Sequence, residues 1–89
     1  MMIIARNKVR DLDTFLKGGQ ERNDLFATAA SSWQTFQDKD DPTSVVLEIE
    51  VTDMDKFVSI LNAPANVEMS ERHTVIRPVI ISTPVASRS

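Results

Sequence analysis

Residues 45–61, VVLEIEVTDMDKFVSIL, constrain the fold of this chain more than any other stretch. Val45, Leu47, Ile49 and Val51 alternate with Val46, Glu48 and Glu50. Period two with β-branched residues predicts a strand with one buried face. The period then changes. Met54, Phe57, Val58 and Leu61 recur at helical spacing, behind Thr52 and Asp55 in a weak capping-box arrangement. Asn62-Ala63-Pro64 ends that helix, because the residue before a proline avoids the α region. A strand that runs straight into a helix must bury both apolar faces in one core, which is α+β architecture.

The flanking segments supply the other elements. Residues 2–9 read as a strand, with Ile3, Ala5, Asn7 and Val9 on one face and Met2, Ile4, Arg6 and Lys8 on the other. Asp11 or Asp13 caps a helical stripe of Leu12, Phe15, Leu16, Gly19, Arg22, Phe26, Ala29 and Ala30. Gly18-Gly19 interrupts it, and a mid-helix glycine costs about 1 kcal/mol against alanine. Either the helix breaks there or the glycines permit a close approach. Residues 32–37 form a second strand with Trp33 and Phe36 on opposite faces, and residues 38–44 are a turn by composition. Residues 64–72 add helical turns with Pro64 near the first position. Residues 74–82 are a last strand, in which Pro78 removes a ladder donor and so predicts an edge or a bulge.

The order β-α-β-β-α-β predicts a single ferredoxin-like domain over residues 1–83, with residues 84–89 as a loose tail. Two right-handed split βαβ units give a four-stranded antiparallel sheet, strand order 4-1-3-2, with the helices on one face. The other sheet face would carry Met2, Ile4, Val46 and charges of both signs, with Arg6 and Lys8 placed to pair with Glu48 and Glu50. A chain of 89 residues buries only about 60–65% of its unfolded surface, and no cysteine is present to staple it. A sheet-to-sheet homodimer is therefore expected. A net charge of −3 argues against a general nucleic-acid binder. The apolar run at residues 1–5 is too short for a signal core or a membrane span, so a cytoplasmic protein without a membrane partner is expected.

The sequence holds no glycine-rich phosphate loop, zinc-ligand spacing or nucleophile elbow, and no cofactor or metal is expected. The candidate site residues are few. Asn7 falls on the apolar register of the first strand, where a buried amide needs partners. It could orient a carbonyl or peroxide oxygen, or cap backbone groups at the strand end. Trp33, the sole tryptophan, and Phe15 could stack on a flat apolar or aromatic ligand, or serve the core or an interface. His73 could be a general base, an axial haem ligand or a capping group. Arg22 and Arg77 could each hold a carboxylate or phenolate in a bidentate fork, or snorkel to the surface. The acidic run at residues 38–41 resembles a cation loop, but its spacing and Pro42 favour a plain turn. An apolar pocket of roughly 300 Å³ or more, with Asn7 and Arg22 or His73 converging in it, would favour an enzyme. Tight packing there would favour a binding module without catalysis.

RDLDTF near residue 10 and DKDDPTSVVLEIEVTDMDKFVSILNAP across residues 38–64 resemble small members of the dimeric α/β-barrel superfamily, related to antibiotic-biosynthesis monooxygenases. That superfamily also holds haem-degrading enzymes, muconolactone isomerases and stress-responsive proteins. The resemblance implies two ferredoxin-like subunits packed sheet against sheet, with a ligand cavity between helices and sheet in each. It implies a small aromatic substrate oxygenated without a cofactor; from the chemistry of the residues themselves, Asn7, Arg22 and His73 are the expected catalytic groups and Trp33, Phe15 and Arg77 the expected substrate contacts. Asn7 is similar to an asparagine that relatives carry near the first strand. Trp33 lies on a different strand from the relatives' tryptophan. GGQERND lacks the histidine that many small relatives carry in the first helix, and the longer helix that bears the haem ligand is missing.

Overall fold

A computed structural model describes residues 1–85, so residues 86–89 of the expected tail lie outside the described residues. Residues 83–85 belong to no helix or strand and are exposed. The elements are β1 (Met2–Val9), α1 (Leu12–Lys17), α2 (Gly19–Phe26), β2 (Ala30–Gln37), β3 (Ser44–Val51), α3 (Met54–Leu61), α4 (Pro64–Arg72) and β4 (Val75–Ser82). Each expected helical region is a pair of short helices. All neighbouring strands are antiparallel, in the order β2-β3-β1-β4. This is the ferredoxin-like sheet that the element order predicts, with β4 at an edge.

Alternation decides the strands. Val45, Leu47, Ile49 and Val51 of β3 are all buried and face Ile3, Ala5 and Val9 of β1 across one layer. Each of the valine, leucine and isoleucine side chains contributes about 1.5–3 kcal/mol by leaving water. Phe15, Phe26, Phe57 and Met69 cover them from the helices. Phe26 meets Phe57 with ring centroids 5.2 Å apart and Trp33 edge-on at 5.4 Å.

Capping decides the helix starts. Asp11 Oδ1 accepts from the backbone of Asp13 and Thr14. At α3 the cap is Asp53, which accepts from Lys56 N at 3.0 Å, so the expected Thr52–Asp55 box does not form. Two residues of the predicted stripes face outward: Leu16 and Val58 are exposed, and Ile60 packs on the core instead. The break at Gly18 separates α1 from α2, and the stripe continues through Arg22 and Phe26.

The far side of the sheet corrects an expected pairing. Arg6 lies opposite Val46 and Lys8 opposite Ser44, while Glu48 faces Ile4 and Glu50 faces Met2. Lys8 forms its ion pair with Asp41, and Glu50 takes the amino terminus at 2.8 Å. The register, offset from the one the charges suggested, removes Arg6 and Lys8 from Glu48 and Glu50. Asp41 also accepts from Thr43 N and Oγ1, which makes the acidic run a side-chain-stabilised turn. On the other edge, β4 shifts register between Arg6 and Lys8, where Ile80 and Ile76 are the partners. Pro78 sits inside that irregularity, as a missing donor requires.

Candidate functional site

One cavity lies between the helices and the sheet, with a free volume of about 60 Å³. Its walls are apolar: Phe15, Phe26, Trp33, Leu47, Ile49 and Phe57 among them. Five polar side chains reach it: Asn7, Arg22, Asn66, Ser70 and His73. Five of the six residues singled out in the sequence, Asn7, Phe15, Arg22, Trp33 and His73, thus border one space. Arg77 does not. It is exposed on β4 and borders a shallow depression of the open sheet face with Arg6, Lys8, Ile76 and Ile80. Between the pairs Arg6–Ile80 and Lys8–Ile76, three residues of β4 lie opposite Asn7 alone, so the alternation breaks and Arg77 falls at the open face while Val75 and Val79 stay at the cavity.

Arg22 is the centre of the polar set. It is 8% exposed, and its guanidinium carbon lies 3.8 Å from the Phe15 ring centroid. Nη2 donates to the Phe15 carbonyl at 2.7 Å, and Nη1 donates to His73 Nδ1 at 3.0 Å. A guanidinium can only donate, so Nδ1 is the acceptor and carries no proton. The ring proton is then on Nε2, which donates to Glu21 Oε1 at 2.7 Å. Arg72 grips the same carboxylate with Nη1 at 3.0 Å and Nη2 at 2.8 Å. A continuous chain therefore runs from the surface to the cavity: Arg72, Glu21, His73, Arg22.

Charge follows from this arrangement. The hydrogen bonds from Arg72 and then His73 hold the Glu21 carboxyl down at about 2. Burial pulls Arg22 down to about 10, so it stays a cation at neutral pH. Both nitrogens of His73 are engaged, which leaves no lone pair for a haem iron. The histidine is neither exposed nor merely capping: at 5% exposure it is part of the core.

Gly18 explains why the ring fits. A Cβ built there would lie 2.4–2.5 Å from the atoms of the His73 ring, whereas at Gly19 the nearest atom is 3.9 Å away. Gly18 has φ −82°, which any residue adopts, so its absent side chain is what matters. The chain beyond His73 is fixed by Thr74, at φ 64°, a left-handed position unusual for a β-branched residue. Its hydroxyl donates to Asp11 O and accepts from Asp11 N, tying the end of α4 to the start of α1.

Asn7 is half-buried, less enclosed than its register implies. Its Nδ2 donates to Lys8 O at 2.9 Å, and it lies at the β1–β4 register shift, without a ladder partner on β4. It borders both the cavity and the depression on the open face. Three further polar residues, Asn66, Ser70 and Glu21, escape a sequence-only reading. Asn66 is 5% exposed and donates to Leu61 O at 2.8 Å; Glu21 orients His73. Asn66, Met69, Ser70 and His73 recur at i, i+3, i+4 and i+7, and all four are buried. That spacing was the signal for Asn66. Nothing in the sequence signals Glu21, which lies on the exposed side of its helix.

No family model matches the sequence, and no curated protein does. Solved structures do match. SnoaB of Streptomyces nogalater, a cofactor-independent oxygenase, aligns with a TM-score of 0.72 at 16% identity, covering 98% of this chain and 94% of that one. A Bordetella bronchiseptica protein provisionally named an antibiotic biosynthesis monooxygenase aligns with a TM-score of 0.68 at 17% identity, over 96% of each chain. An antibiotic biosynthesis monooxygenase aligns at 0.63 and 15% identity, over 96% of this chain and 98% of that one. At such identities the likeness is one of backbone. This chain has the ferredoxin-like fold of the antibiotic biosynthesis monooxygenases.

Proposed function

We propose that the cavity binds a small planar aromatic molecule and that the protein oxygenates it without a bound cofactor. The observation that carries this reading is convergence: Asn7, Arg22, Asn66 and His73 meet one apolar space walled by Phe15, Phe26 and Trp33. Oxygenation without a cofactor requires the substrate itself to supply electrons, which an aromatic oxyanion does better than its neutral acid. A buried guanidinium stabilises such an anion far more in an apolar cavity than in water. Phe15 and Trp33 would hold the ring, and the amides of Asn7 and Asn66 would orient its oxygens.

One observation favours a second reading, a dimeric binding module without catalysis. About 60 Å³ falls well short of the roughly 300 Å³ of a cavity for a drug-sized ligand. The two readings separate in one experiment. A tricyclic phenol is titrated while Trp33 fluorescence is followed, and oxygen uptake is then measured in the presence of a chelator. Quenching with oxygen uptake that Arg22→Gln abolishes supports the enzyme. Quenching without oxygen uptake supports the module, and no quenching by any planar aromatic refutes the enzyme and leaves a module whose cavity stays closed.

The same reading includes a homodimer joined through the open sheet face. Met2, Phe36, Ile76 and Ile80 are each more than 40% exposed, and Met2, Ile76 and Ile80 belong to strands that flank or include the sheet centre. Among the described residues no helix covers them, and burial against a second sheet would remove that apolar surface from water. Sedimentation at micromolar concentration tests this, and a monomer there refutes it.

A further inference from the structure

Arg22 lines the cavity as a buried cation with no carboxylate in contact among the described residues. Its direct polar partners, the Phe15 carbonyl and His73 Nδ1, are both neutral. A buried charge is costly unless it is paired, so an anion entering the cavity would find an under-compensated donor. A guanidinium has five N–H groups in a fixed fork, and the two contacts named above use two of them. The other three stay free for a ligand, and an anion taken in a bidentate grip that includes Nη1 would draw that nitrogen from His73.

That competition has a chemical consequence. Nδ1 of His73 can hold one partner: a hydrogen from Arg22 or a proton of its own. On the basis of the proposed ligand site, we infer that the cavity takes its ligand as an anion on Arg22 and that His73 gains a proton as the ligand binds, with Glu21 as counter-ion. The second half follows where the anion's grip includes Nη1. Once Arg22 turns to the anion, Nδ1 is released beside a negative ligand, while Nε2–H still faces the Glu21 carboxylate at 2.7 Å. The imidazolium formed is flanked by negative charge on both sides. The charged groups bonded to the ring are Glu21 and Arg22 of α2, with Arg72 of α4 one step further, on Glu21. Toward the α1–α2 junction the ring meets Gly18, which brings no charge.

A ligand that arrives as a neutral phenol or enol needs no proton from solution. Its O–H bond breaks, the proton forms the Nδ1–H bond, and the electron pair stays on the oxygen that Arg22 holds. Glu21 and Arg72 are positioning residues in this scheme. They keep the ring in the tautomer whose free face is Nδ1, and they do so from outside the cavity.

Benzoate and benzamide, a matched pair of nearly equal shape, test the inference by calorimetry on the intact protein in two buffers of different ionisation heat. Benzoate is expected to bind with net uptake of up to one proton, and with a Kd that rises with pH by up to about tenfold per unit. Benzamide is expected to bind at least tenfold more weakly and to take up none. In His73→Asn the proton uptake and the pH slope should vanish while benzoate still binds, and Glu21→Gln should reduce both. Benzoate binding without proton uptake, or benzamide binding as tightly, overturns this inference and leaves the ligand site standing. Binding of neither compound overturns both.

Discussion

Replacing Gly18 by alanine is the sharpest probe of how this site is built. The added Cβ would lie 2.4–2.5 Å from three atoms of the His73 ring, closer than real Cβ contacts come. The ring cannot slide aside freely, because Arg22 holds Nδ1 at 3.0 Å and Glu21 holds Nε2 at 2.7 Å. Overpacking of this kind costs about 1–3 kcal/mol. Loss of the buried Arg22–His73 hydrogen bond adds about 1–3 kcal/mol. Against this, alanine restricts the unfolded chain and recovers about 0.4–1 kcal/mol, since φ −82° suits it. The expected net loss is about 2–4 kcal/mol, a fall in Tm of roughly 10–25 °C for a domain of this size. Gly19→Ala is the control: with the nearest atom at 3.9 Å, it should be neutral or stabilising by up to about 1 kcal/mol. A double-mutant cycle with His73→Ala, read by urea unfolding, should return a coupling of roughly 1–3 kcal/mol. If Gly18→Ala melts with the wild type, or the cycle shows no coupling, the account of the glycine is wrong.

Two further outcomes follow from the charges and the open face. The carboxyls of Glu21 and Asp41 titrate at about 2 in the folded protein, Glu21 chiefly through Arg72 and Asp41 chiefly through Lys8, against ordinary values of 4.5 and 3.8. A depressed carboxyl stabilises the fold above its unfolded value and ceases to do so as pH falls through the folded one. The urea midpoint should therefore hold down to about pH 5 and decline from there to pH 2, with a smaller decline in Glu21→Gln; an equal decline in that variant would remove Glu21 from the explanation. On the sheet, Ile80 is 50% exposed and lies opposite Arg6. Ile80→Arg sets two like charges side by side at the proposed interface and should weaken self-association at least about tenfold, each factor of ten being about 1.4 kcal/mol; unchanged sedimentation would argue against that face.

Much of the fold is legible from local pattern because local sterics and solvation produce it. Alternation along β3 selects the buried face, Asp11 starts α1, Pro64 starts α4 and Pro78 forces β4 to an edge with an irregular register. The chirality of split βαβ units then leaves one strand order. Register is less legible, since sliding a strand by two residues preserves which face is apolar. That is why Arg6 and Lys8, expected beside Glu48 and Glu50, lie opposite Val46 and Ser44.

The candidate site divides along the same line. Asn7, Phe15, Arg22, Trp33 and His73 stand out in the sequence because each is a polar or aromatic residue at a notable position of an apolar pattern. Their meeting in one cavity depends on contacts such as Arg22 with His73 and His73 with Glu21, which join residues more than fifty positions apart. No local rule reports such distances. Arg77 shows the converse, a residue of the right type that the bulge of β4 carries to the other side of the sheet. The glycine pair was readable as either a break or a close approach, and the tertiary structure makes it both. The helix breaks at Gly18, and the missing Cβ gives His73 its place. Periodicity and backbone sterics thus determined the layers, because they act between neighbours in the chain. Only the packing of α2 against α4 decided which nitrogen of His73 carries a proton, because that depends on partners brought together through space.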